Sequence, residues 1–426
     1  MQLSRRDMVR MGAGAALTAA GGRAMADGTV RIGIVGTGAR GTGLLATLLQ
    51  MPGVAVPAVC DIDAGRAANA RALVQQSGRG DAEAYTRDEW DYKRLCTRGD
   101  LDAVLIATPW NWHATMAVEA MKSGKTAATE VPACLTVEEC WDLVRTSEAT
   151  GKSCMMLENV NYFENVLALQ RMVEEGVYGE VLHAEAGYQH DCRFLAFTDD
   201  GKLTWRGEHL ARLTGNLYPT HPLGPVAWWM GINRGDRITS LSSVSTRGVC
   251  LAEYAARKFG ADHPLARRKY AVGDINTTIM QTARGRTITL YFTISTPRAY
   301  DLIFRLQGSK GIYEGGHDRT YIEGVSPTAD TPEPFAPYLQ RYAHPLWKKL
   351  ETEAKRNGGH GGCDYIVLYE FVQAVREGRS TPQDVVDAAT WSVVTPLSAL
   401  SVAKGGARVA VPDFSKGAWR KPRPVP

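Results

Sequence analysis

The fold class is set by the stretch Thr29-Val-Arg-Ile-Gly-Ile-Val35, which runs directly into Gly36-Thr37-Gly38-Ala39-Arg40-Gly41. The first part is rich in β-branched residues, as expected of a strand, and the leucines that follow the glycines have helical spacing. A Gly-x-Gly-x-x-Gly turn between a strand and a helix lets backbone N–H groups approach a pyrophosphate at the helix N-terminus, where the helix dipole favours anions. Gly36, Gly38 and Gly41 therefore predict a dinucleotide site.

An acidic residue stands where such a site selects its nucleotide. The second strand, Val56 to Cys60, ends at Asp61, about twenty residues beyond the last motif glycine. A carboxylate there accepts hydrogen bonds from a ribose diol and repels a 2′-phosphate, so the sequence favours NAD over NADP. The alternative is that Asp61 only caps the end of the strand.

Strands and helices alternate through residues 27–158. Further strand-like runs begin at residues 103, 126 and 153, and helical patterns cover 64–76, 113–123 and 136–150. This alternation predicts a doubly wound parallel sheet with helices on both faces, that is, a Rossmann domain.

The pattern changes in a second predicted domain, residues 159–426. Strand-like runs there cover 181–190, 237–245, 275–283, 287–295 and 302–307. We expect a large, mostly antiparallel open sheet, with a hairpin at Arg284-Gly285-Arg286 and a proline-rich surface loop over residues 324–337. Flanking helices are predicted at 338–356, 364–377 and 383–403.

The first 26 residues are typical of a targeting segment. They contain the paired arginines Arg5-Arg6, a weakly apolar glycine- and alanine-rich run, and the cleavage-like tripeptide Ala24-Met25-Ala26. The twin-arginine start resembles signals for the export route that carries folded proteins. We therefore expect a periplasmic protein that uses the twin-arginine export machinery and loads its nucleotide before it is exported.

The bulk composition argues against several partners. Residues 1–26 carry +3 of the formal net charge of +4, so the rest is near neutral and makes no electrostatic case for nucleic acid or an anionic membrane. The eight cysteines include no Cys-x-x-Cys pair, which predicts buried free thiols and no metal site. The oligomeric state stays open, although the exposed face of a large open sheet is compatible with a homodimer.

Two polar segments lie where open parallel sheets bind ligands, beyond the carboxyl ends of the strands. Strand 103–107 is followed by Thr108-Pro109-Trp110-Asn111-Trp112-His113, and the next strand ends in Glu130-Val131-Pro132. Trp110 and Trp112 are placed to wall the nicotinamide half of the cleft, and His113 to cap or donate. Ordinary packing is the alternative for these side chains.

Together these features resemble the glucose-fructose oxidoreductase / inositol dehydrogenase superfamily over most of residues 29–403. Dehydrogenases of that superfamily have a lysine in the middle of the Glu-x-Pro tripeptide, where this chain has Val131. They also tend to carry an aspartate four residues before a catalytic histidine, whereas Leu217 stands four residues before His221. Both departures argue against simple dehydrogenation of a sugar alcohol.

One branch of the superfamily fits the departures. The chain resembles glycoside hydrolase family 109 in a set of short motifs: Trp110-Asn-Trp-His113, Glu130-Val131-Pro132, Glu158-Asn159, Tyr218-Pro-Thr-His221, Leu223-Gly-Pro225, Asn233-Arg-Gly-Asp236 and Gly358-Gly-His-Gly-Gly-Cys-Asp364. Members of that family resemble α-N-acetylgalactosaminidases that use bound NAD catalytically. The resemblance therefore implies a sugar substrate and a tightly bound NAD.

The same resemblance implies the contacts at each site. Nucleotide contacts are implied for Ala39, Arg40, Asp61, Trp110, Asn111, Trp112, His113, Glu130, Val131, Asn159 and Tyr218. Sugar contacts are implied for Tyr188, Arg206, Tyr218, Pro219, Thr220, His221 and Tyr300. From the residues alone, Tyr188 could also be core, Arg206 a surface ion pair, and Tyr300 an ordinary strand-start residue. His360 is open between substrate contact and helix entry, whereas His221, between Thr220 and Pro222, is not expected to pack within a helix.

The implied reaction is an oxidation, elimination, addition and reduction. NAD⁺ takes hydride from C3, the C2 proton becomes acidic, the C1 substituent leaves, water adds, and the hydride returns, so that NAD is recycled in each turnover. We expect His221 and Tyr218 to be the acid/base pair at C2 and C3, with the order of their roles open.

Three alternatives remain at the level of sequence. The first is an oxidoreductase with net turnover of NAD(P) on a sugar. The second is a hydrolase acting on another N-acetylhexosaminide or anomer, because no motif reads the configuration at C4. The third is a non-catalytic, NAD-containing protein that binds sugars.

Overall fold

The computed structural model describes residues 28–425, which form two β-sheets with flanking helices. The predicted twin-arginine segment, residues 1–26, lies outside the described residues. Both sheets are built around strands whose apolar side chains are buried.

The first sheet is parallel and has the strand order β3-β2-β1-β4-β5-β6. Its strands are β1 Val30–Val35, β2 Val54–Cys60, β3 Glu83–Tyr85, β4 Ala103–Ile106, β5 Thr126–Thr129 and β6 Cys154–Met156. Its helices are α1 Ala39–Leu48, α2 Ala64–Gln76, α3 Tyr92–Cys96, α4 His113–Lys122 and α5 Val137–Thr150. The strand order reverses between β1 and β4, so the glycine turn after β1 lies where doubly wound sheets bind nucleotides. The predicted Rossmann fold is confirmed.

Local signals account for the helix boundaries here. The Thr136 side chain accepts a hydrogen bond from the Glu139 amide while the Glu139 side chain accepts from the Thr136 amide, which is a capping box at the start of α5. The helix ends at Gly151, whose positive φ of 66° suits glycine. These two signals place α5 within one residue of its predicted range.

The second sheet has nine strands in the order β14-β13-β12-β11-β7-β10-β9-β8-β15. They are β7 Val181–Gln189, β8 Ile238–Ser245, β9 Asn276–Thr282, β10 Thr287–Thr293, β11 Arg305–Gly308, β12 Gly311–Glu314, β13 Arg319–Ile322, β14 Glu333–Pro334 and β15 Val409–Ala410. Neighbouring strands pair antiparallel except β7 and β10, which pair in parallel. The predicted large, mostly antiparallel sheet is confirmed, including the hairpin between β9 and β10.

Ten helices accompany the second sheet within the described residues. They are α6 Glu164–Glu174, α7 Trp205–Arg212, α8 Thr220–Trp229, α9 Cys250–Phe259, α10 Pro264–Arg267, α11 Ala336–Arg341, α12 Pro345–Asn357, α13 Cys363–Glu377, α14 Val385–Ser392 and α15 Val394–Ala403. The predicted helix over 338–356 is in fact two helices, because Pro345 starts a new helix at its first position. Residues 333–334 of the predicted proline-rich loop form the short edge strand β14.

His221 lies in a helix, contrary to the expectation from its neighbours. It is the second residue of α8, and Pro222 falls in the first turn, where a missing backbone N–H removes no helical hydrogen bond. Nine of the ten residues of α8 are buried, so tertiary packing also holds the helix across Pro225. His221 is the one residue of α8 that is not fully buried, which directs its side chain towards an accessible space.

The cysteines and one long apolar helical stretch are largely buried in the protein. The eight cysteines are free, and all but Cys250 are buried. The helical stretch Val385–Ala403 is long and apolar enough to cross a membrane by composition alone, but 72% of its apolar window is buried within the protein. A core helix passes the same test, so this stretch is weak support for a membrane span.

The Asn233-Arg-Gly-Asp236 motif has a structural role, because its side chains bind a helix that is distant in sequence. Arg234 donates to both carboxylate oxygens of Asp387 in α14, at 2.9 and 2.5 Å, and both side chains are almost completely buried. Asn233 donates to the same carboxylate at 3.0 Å. The motif therefore fastens the turn between α8 and β8 to α14.

Removing one partner of this ion pair should be strongly destabilising. Asp387→Ala leaves Arg234 as an unpaired buried charge, and we expect the free energy of unfolding to fall by about 3–5 kcal/mol. Urea denaturation measures this loss. The double variant Arg234→Met/Asp387→Leu removes both charges and should regain most of the loss. A single variant as stable as the parent would contradict the account.

Candidate active site

The glycine turn is shaped to accept a phosphate group. Gly36 has a φ of 87°, and a methyl group on Gly41 would overlap the carbonyl oxygen of Gly36, so both positions require glycine. Gly38 precedes α1, and no side chain caps the first N–H groups of that helix. A Cβ on Gly38 would approach only Arg66, at 3.7 Å, so the surface in front of the helix is open. Uncapped N–H groups beside an open surface fit a pyrophosphate.

Asp61 is held in the predicted place beside this turn. One carboxylate oxygen accepts from the Thr37 amide at 2.8 Å, and the other accepts from the Asp63 amide at 2.9 Å. The residue is only 9% exposed, so its charge faces the turn with little screening. This carboxylate fits a ribose diol and disfavours a 2′-phosphate.

Loss of the Asp61 carboxylate should weaken nucleotide binding. Charge-assisted hydrogen bonds contribute about 1.5–3 kcal/mol each, so Asp61→Ala should raise the Kd for NAD by roughly 10- to 150-fold. Calorimetric titration of nucleotide-free protein measures this change. Asp63→Ala is the matched control, because Asp63 is half exposed and caps α2. Equal affinity in Asp61→Ala and the parent would contradict the ribose contact.

Arg40 joins the glycine turn to the rest of the molecule. It donates to Glu130 at 2.8 Å and to both oxygens of Asp364 at 2.6 and 3.0 Å. Asp364 also accepts from Asn159 at 2.6 Å, and His360 contacts it at 2.8 Å. Burial by itself would raise the pKa of Asp364, but the hydrogen bonds from His360 and Arg40 outweigh burial and hold that pKa well below its usual range. The carboxylate is therefore ionised and anchors three side chains, those of Arg40, Asn159 and His360.

The predicted nucleotide residues 110–113 face different surroundings. Trp110 is buried, with its ring 5.7 Å from that of Tyr218. Trp112 packs instead against Trp90, at 5.2 Å between ring centroids, and Asn111 is exposed. His113 is 1% exposed, and its two ring nitrogens lie 2.7 and 2.8 Å from the carbonyl oxygens of Pro132 and Thr108. In this state His113 ties the two strand-end segments together.

Val131 and Asn159 complete the predicted nucleotide set. Val131 is buried directly after Glu130 and forms the cis peptide bond to Pro132. The side-chain oxygen of Asn159 is buried and has no hydrogen-bond partner within the described residues, which leaves an acceptor for a bound group. These residues therefore fit a nucleotide.

The predicted sugar residues form a cluster of rings, which we call the aromatic cluster: Tyr188, Tyr218, His221 and Tyr300. The ring of Tyr188 lies 4.8 Å from Tyr218, 5.2 Å from His221 and 6.2 Å from Tyr300. The rings of Tyr218 and His221 are 4.9 Å apart. The three predicted acid/base and sugar-binding rings at 188, 218 and 221 are therefore in mutual contact, and Tyr300 stands half exposed beside them.

The other predicted sugar contacts flank this cluster. The Arg206 guanidinium lies over the ring of Trp110 at 4.7 Å and over that of Trp205 at 4.6 Å, and it makes no ion pair with a carboxylate within the described residues. Pro219 and Thr220 are buried at the start of α8, and the Thr220 hydroxyl has no hydrogen-bond partner among residues 28–425. The Arg206 cation beside the exposed ring of Trp205 suits a polyhydroxylated ligand, whereas Thr220 is fully buried.

Tyr218 lies between a predicted nucleotide residue, Trp110, and the predicted sugar residue His221, at ring distances of 5.7 and 4.9 Å. Burial raises its pKa strongly, the negative charges of Glu130 and Glu158 raise it further, and the positive charges of Arg206 and Arg40 oppose these effects. The same phenol therefore experiences the charges of two predicted nucleotide contacts, Arg40 and Glu130, and of one predicted sugar contact, Arg206.

Two residues of this region stand out in the sequence only as parts of longer motifs. Glu158 is completely buried and lies 2.6 Å from His221 Nδ1, and Asp364 anchors Arg40. A carboxylate two residues after the buried strand β6 was the available signal for Glu158. His190 was missed; its ring lies 5.0 Å from that of Tyr300, and burial lowers its pKa. No group of three or more potential ligands that could hold a metal ion occurs within residues 28–425.

The comparisons with known protein families cover both parts of the chain. Residues 30–158 match the oxidoreductase family with an NAD-binding Rossmann fold. Residues 162–421 match the C-terminal domain of glycosyl hydrolase 109. The NAD-binding Rossmann domain is therefore shown by the family match as well as by the fold.

Similar proteins cover nearly the whole chain. A glycosyl hydrolase family 109 protein of Solibacter usitatus is 41% identical over 99% of both chains. A second, from Shewanella sp. strain W3-18-1, is 43% identical over 93% of this chain and 87% of its own.

Solved structures share the fold at low identity. A levoglucosan dehydrogenase in complex with NADH has a TM-score of 0.69 at 20% identity, covering 90% of this chain and 100% of its own. The WlbA dehydrogenase of Bordetella pertussis, in complex with NADH and UDP-GlcNAcA, has a TM-score of 0.66 at 14% identity, covering 90% and 98%.

Proposed function

The chain belongs to glycosyl hydrolase family 109, and on that premise we propose that it removes a terminal α-linked N-acetylgalactosamine by a reaction in which bound NAD is recycled. The observation that carries this proposal is the position of Tyr218. Its phenol is coupled electrostatically to Arg40 and Glu130 at the nucleotide side and lies against His221 and Tyr188 in the aromatic cluster. A sugar held there lies beside the nucleotide.

The carboxylates near the aromatic cluster do not suit ordinary glycoside hydrolysis. That reaction needs two carboxyl groups flanking the scissile bond, separated by roughly 5–9.5 Å. Within the described residues, Glu158 is fully buried behind His221, Asp191 is paired with Arg193 at 2.6 Å, and Asp301 accepts from the Ile303 amide. The side chains of the cluster are instead three phenols and the His221 imidazole, which support proton transfer, and the Arg206 cation beside them supplies positive charge.

In this proposal one set of residues binds NAD and another set transfers protons. The uncapped N–H groups of α1 hold the pyrophosphate and Asp61 holds the ribose. NAD, when bound, supplies a hydride acceptor at C3 of the sugar and returns the hydride at the end of the cycle. Because burial keeps the pKa of Tyr218 high, its hydroxyl holds its proton, and His221 Nε2 is the better acceptor for a proton leaving the sugar.

We also propose that the protein is exported through its twin-arginine segment and acts in the periplasm. A recycled nucleotide fits that location, because an exported enzyme has no supply of fresh NAD. Fractionation of cells that produce the full chain tests this, with Arg5→Lys/Arg6→Lys as the variant expected to stay in the cytoplasm.

A screen of chromogenic α- and β-N-acetylhexosaminides with purified mature protein and no added cofactor tests the activity. We expect release from the α-N-acetylgalactosaminide without a net change of absorbance at the NADH band. Reduction of the bound NAD to NADH without release of the aglycone would favour an oxidoreductase, and release from another hexosaminide alone would correct the substrate. A 3-deoxy analogue of the substrate has no hydroxyl at C3 to oxidise. Release of the chromophore from this analogue at the same rate as from the substrate would refute the redox step.

A further inference from the structure

Glu158 is a carboxylate with no solvent exposure, and the basic side chain in contact with it is that of His221. Its Oε1 lies 2.6 Å from His221 Nδ1, and within residues 28–425 it forms no ion pair with lysine or arginine. Burying a carboxylate without a lysine or arginine partner costs folding free energy. We therefore look for the role of Glu158 in its contact with His221.

The hydrogen-bond pattern places the shared proton on the imidazole. Glu158 Oε1 also accepts from the Val160 amide at 3.2 Å, so this oxygen already acts as an acceptor. A carboxyl hydroxyl is a poor acceptor, and therefore Oε1 is the carboxylate oxygen and His221 Nδ1–H is the donor. The lone pair of a neutral His221 is then on Nε2, away from Glu158.

The sequence around His221 is built to make this contact. α8 passes so close to the turn that follows β6 that a methyl group on Gly224 would lie 2.9 Å from Glu158 Cγ and would overlap the side chain of Asn161. Glu158 itself is held by the Gln383 side chain, which donates to its carbonyl oxygen at 2.7 Å. The close approach at Gly224 and the anchored backbone of Glu158 fix the distance between the carboxylate and the imidazole.

We propose that Glu158 is the positioning residue for His221: it holds the Nδ1–H tautomer, aims Nε2 at the aromatic cluster, and stabilises the imidazolium that forms when Nε2 takes a proton. The carboxylate thus comes from a different element of the fold, 63 residues before the histidine, whereas position 217, four residues before it, holds a buried leucine. The catalytic part of this proposal rests on the proposed function. The tautomer does not.

Two measurements test the proposal together. In protein with 15N-labelled histidine, the His221 ring, assigned by its loss in His221→Gln, should show a proton on Nδ1 with a strongly downfield resonance. Glu158→Gln keeps the shape but removes the charge, and should move that resonance upfield. The same substitution should lower kcat by roughly 10²-fold, with KM and bound NAD little changed. Glu148→Gln, an exposed glutamate paired with Lys416, is the matched control.

The outcomes separate this proposal from the proposed function. A wild-type spectrum with the proton on Nε2, or a Glu158→Gln variant with kcat within threefold of the parent, overturns the positioning role. If Glu158→Gln does not fold, the wild-type spectrum and Gly224→Ala decide, because Gly224→Ala keeps both residues and should weaken their contact. A protein with the Nδ1–H tautomer but no hydrolysis of any hexosaminide would overturn the proposed function and leave the tautomer standing.

Discussion

Replacement of His221 by alanine is expected to lower kcat by roughly two to four orders of magnitude while NAD stays bound. His221 is the accessible residue of an otherwise buried helix, its Nδ1 is engaged by Glu158, and its ring contacts both Tyr188 and Tyr218. Neither of the two phenols in contact with His221 replaces Nε2 as a base, because burial raises the pKa of both Tyr188 and Tyr218.

The measurement is turnover of the α-N-acetylgalactosaminide, together with the NAD content of the purified variant. His317→Ala is the control, since His317 is exposed outside the aromatic cluster. Near-normal turnover by His221→Ala would remove this residue from the acid/base pair. Loss of NAD from the variant would show that the defect lies in binding.

Replacement of Gly41 by alanine is expected to abolish NAD binding and, with it, hydrolysis. The added methyl group would overlap the backbone carbonyl oxygen of Gly36, and no side chain can rotate to relieve a clash with backbone. The turn must shift, and the N–H groups of α1 then lose their alignment on the pyrophosphate.

Gly43→Ala is a matched control in the same helix. A methyl group there meets no atom within 4 Å, and alanine favours a helix interior over glycine by about 1 kcal/mol. Purified Gly43→Ala should therefore release as much NAD on denaturation as the parent does. Its melting temperature should be no lower than that of the parent. Full NAD content in Gly41→Ala would contradict the proposed use of the turn.

The Rossmann domain could be predicted from sequence because its signals are local. The glycine turn, Asp61 at the end of β2 and Gly151 at the end of α5 each act locally. Gly36 and Gly151 have the expected positive φ, and the Asp61 side chain faces the glycine turn. The strand bounds differ by one or two residues, where register with a neighbouring strand sets the end.

The helix α8 could not be predicted because its local signals point the other way. Pro222 and Pro225 both argue against a helix interior, yet the helix is held by burial on nearly all sides. The expectation that His221 lies outside a helix was wrong for this reason.

The supports of the site depend on contacts that are distant in sequence. Glu158 reaches His221 across 63 residues, and Asp364 reaches Arg40 across 324. A single sequence shows such residues only as polar residues among apolar neighbours and does not show which distant side chain each one contacts. The contacts predicted at residues 110–113 and 130–131 remain predictions, because Trp112 and His113 are engaged by other parts of the protein in this state.

The central claim is that a hydride leaves C3 and returns while a base removes the proton at C2. Cleavage of the α-N-acetylgalactosaminide in D₂O tests it most directly, with the released sugar examined by NMR. The account predicts deuterium at C2 and the original hydrogen at C3 in every product molecule. Product with hydrogen retained at C2 would mean direct hydrolysis and would contradict the account.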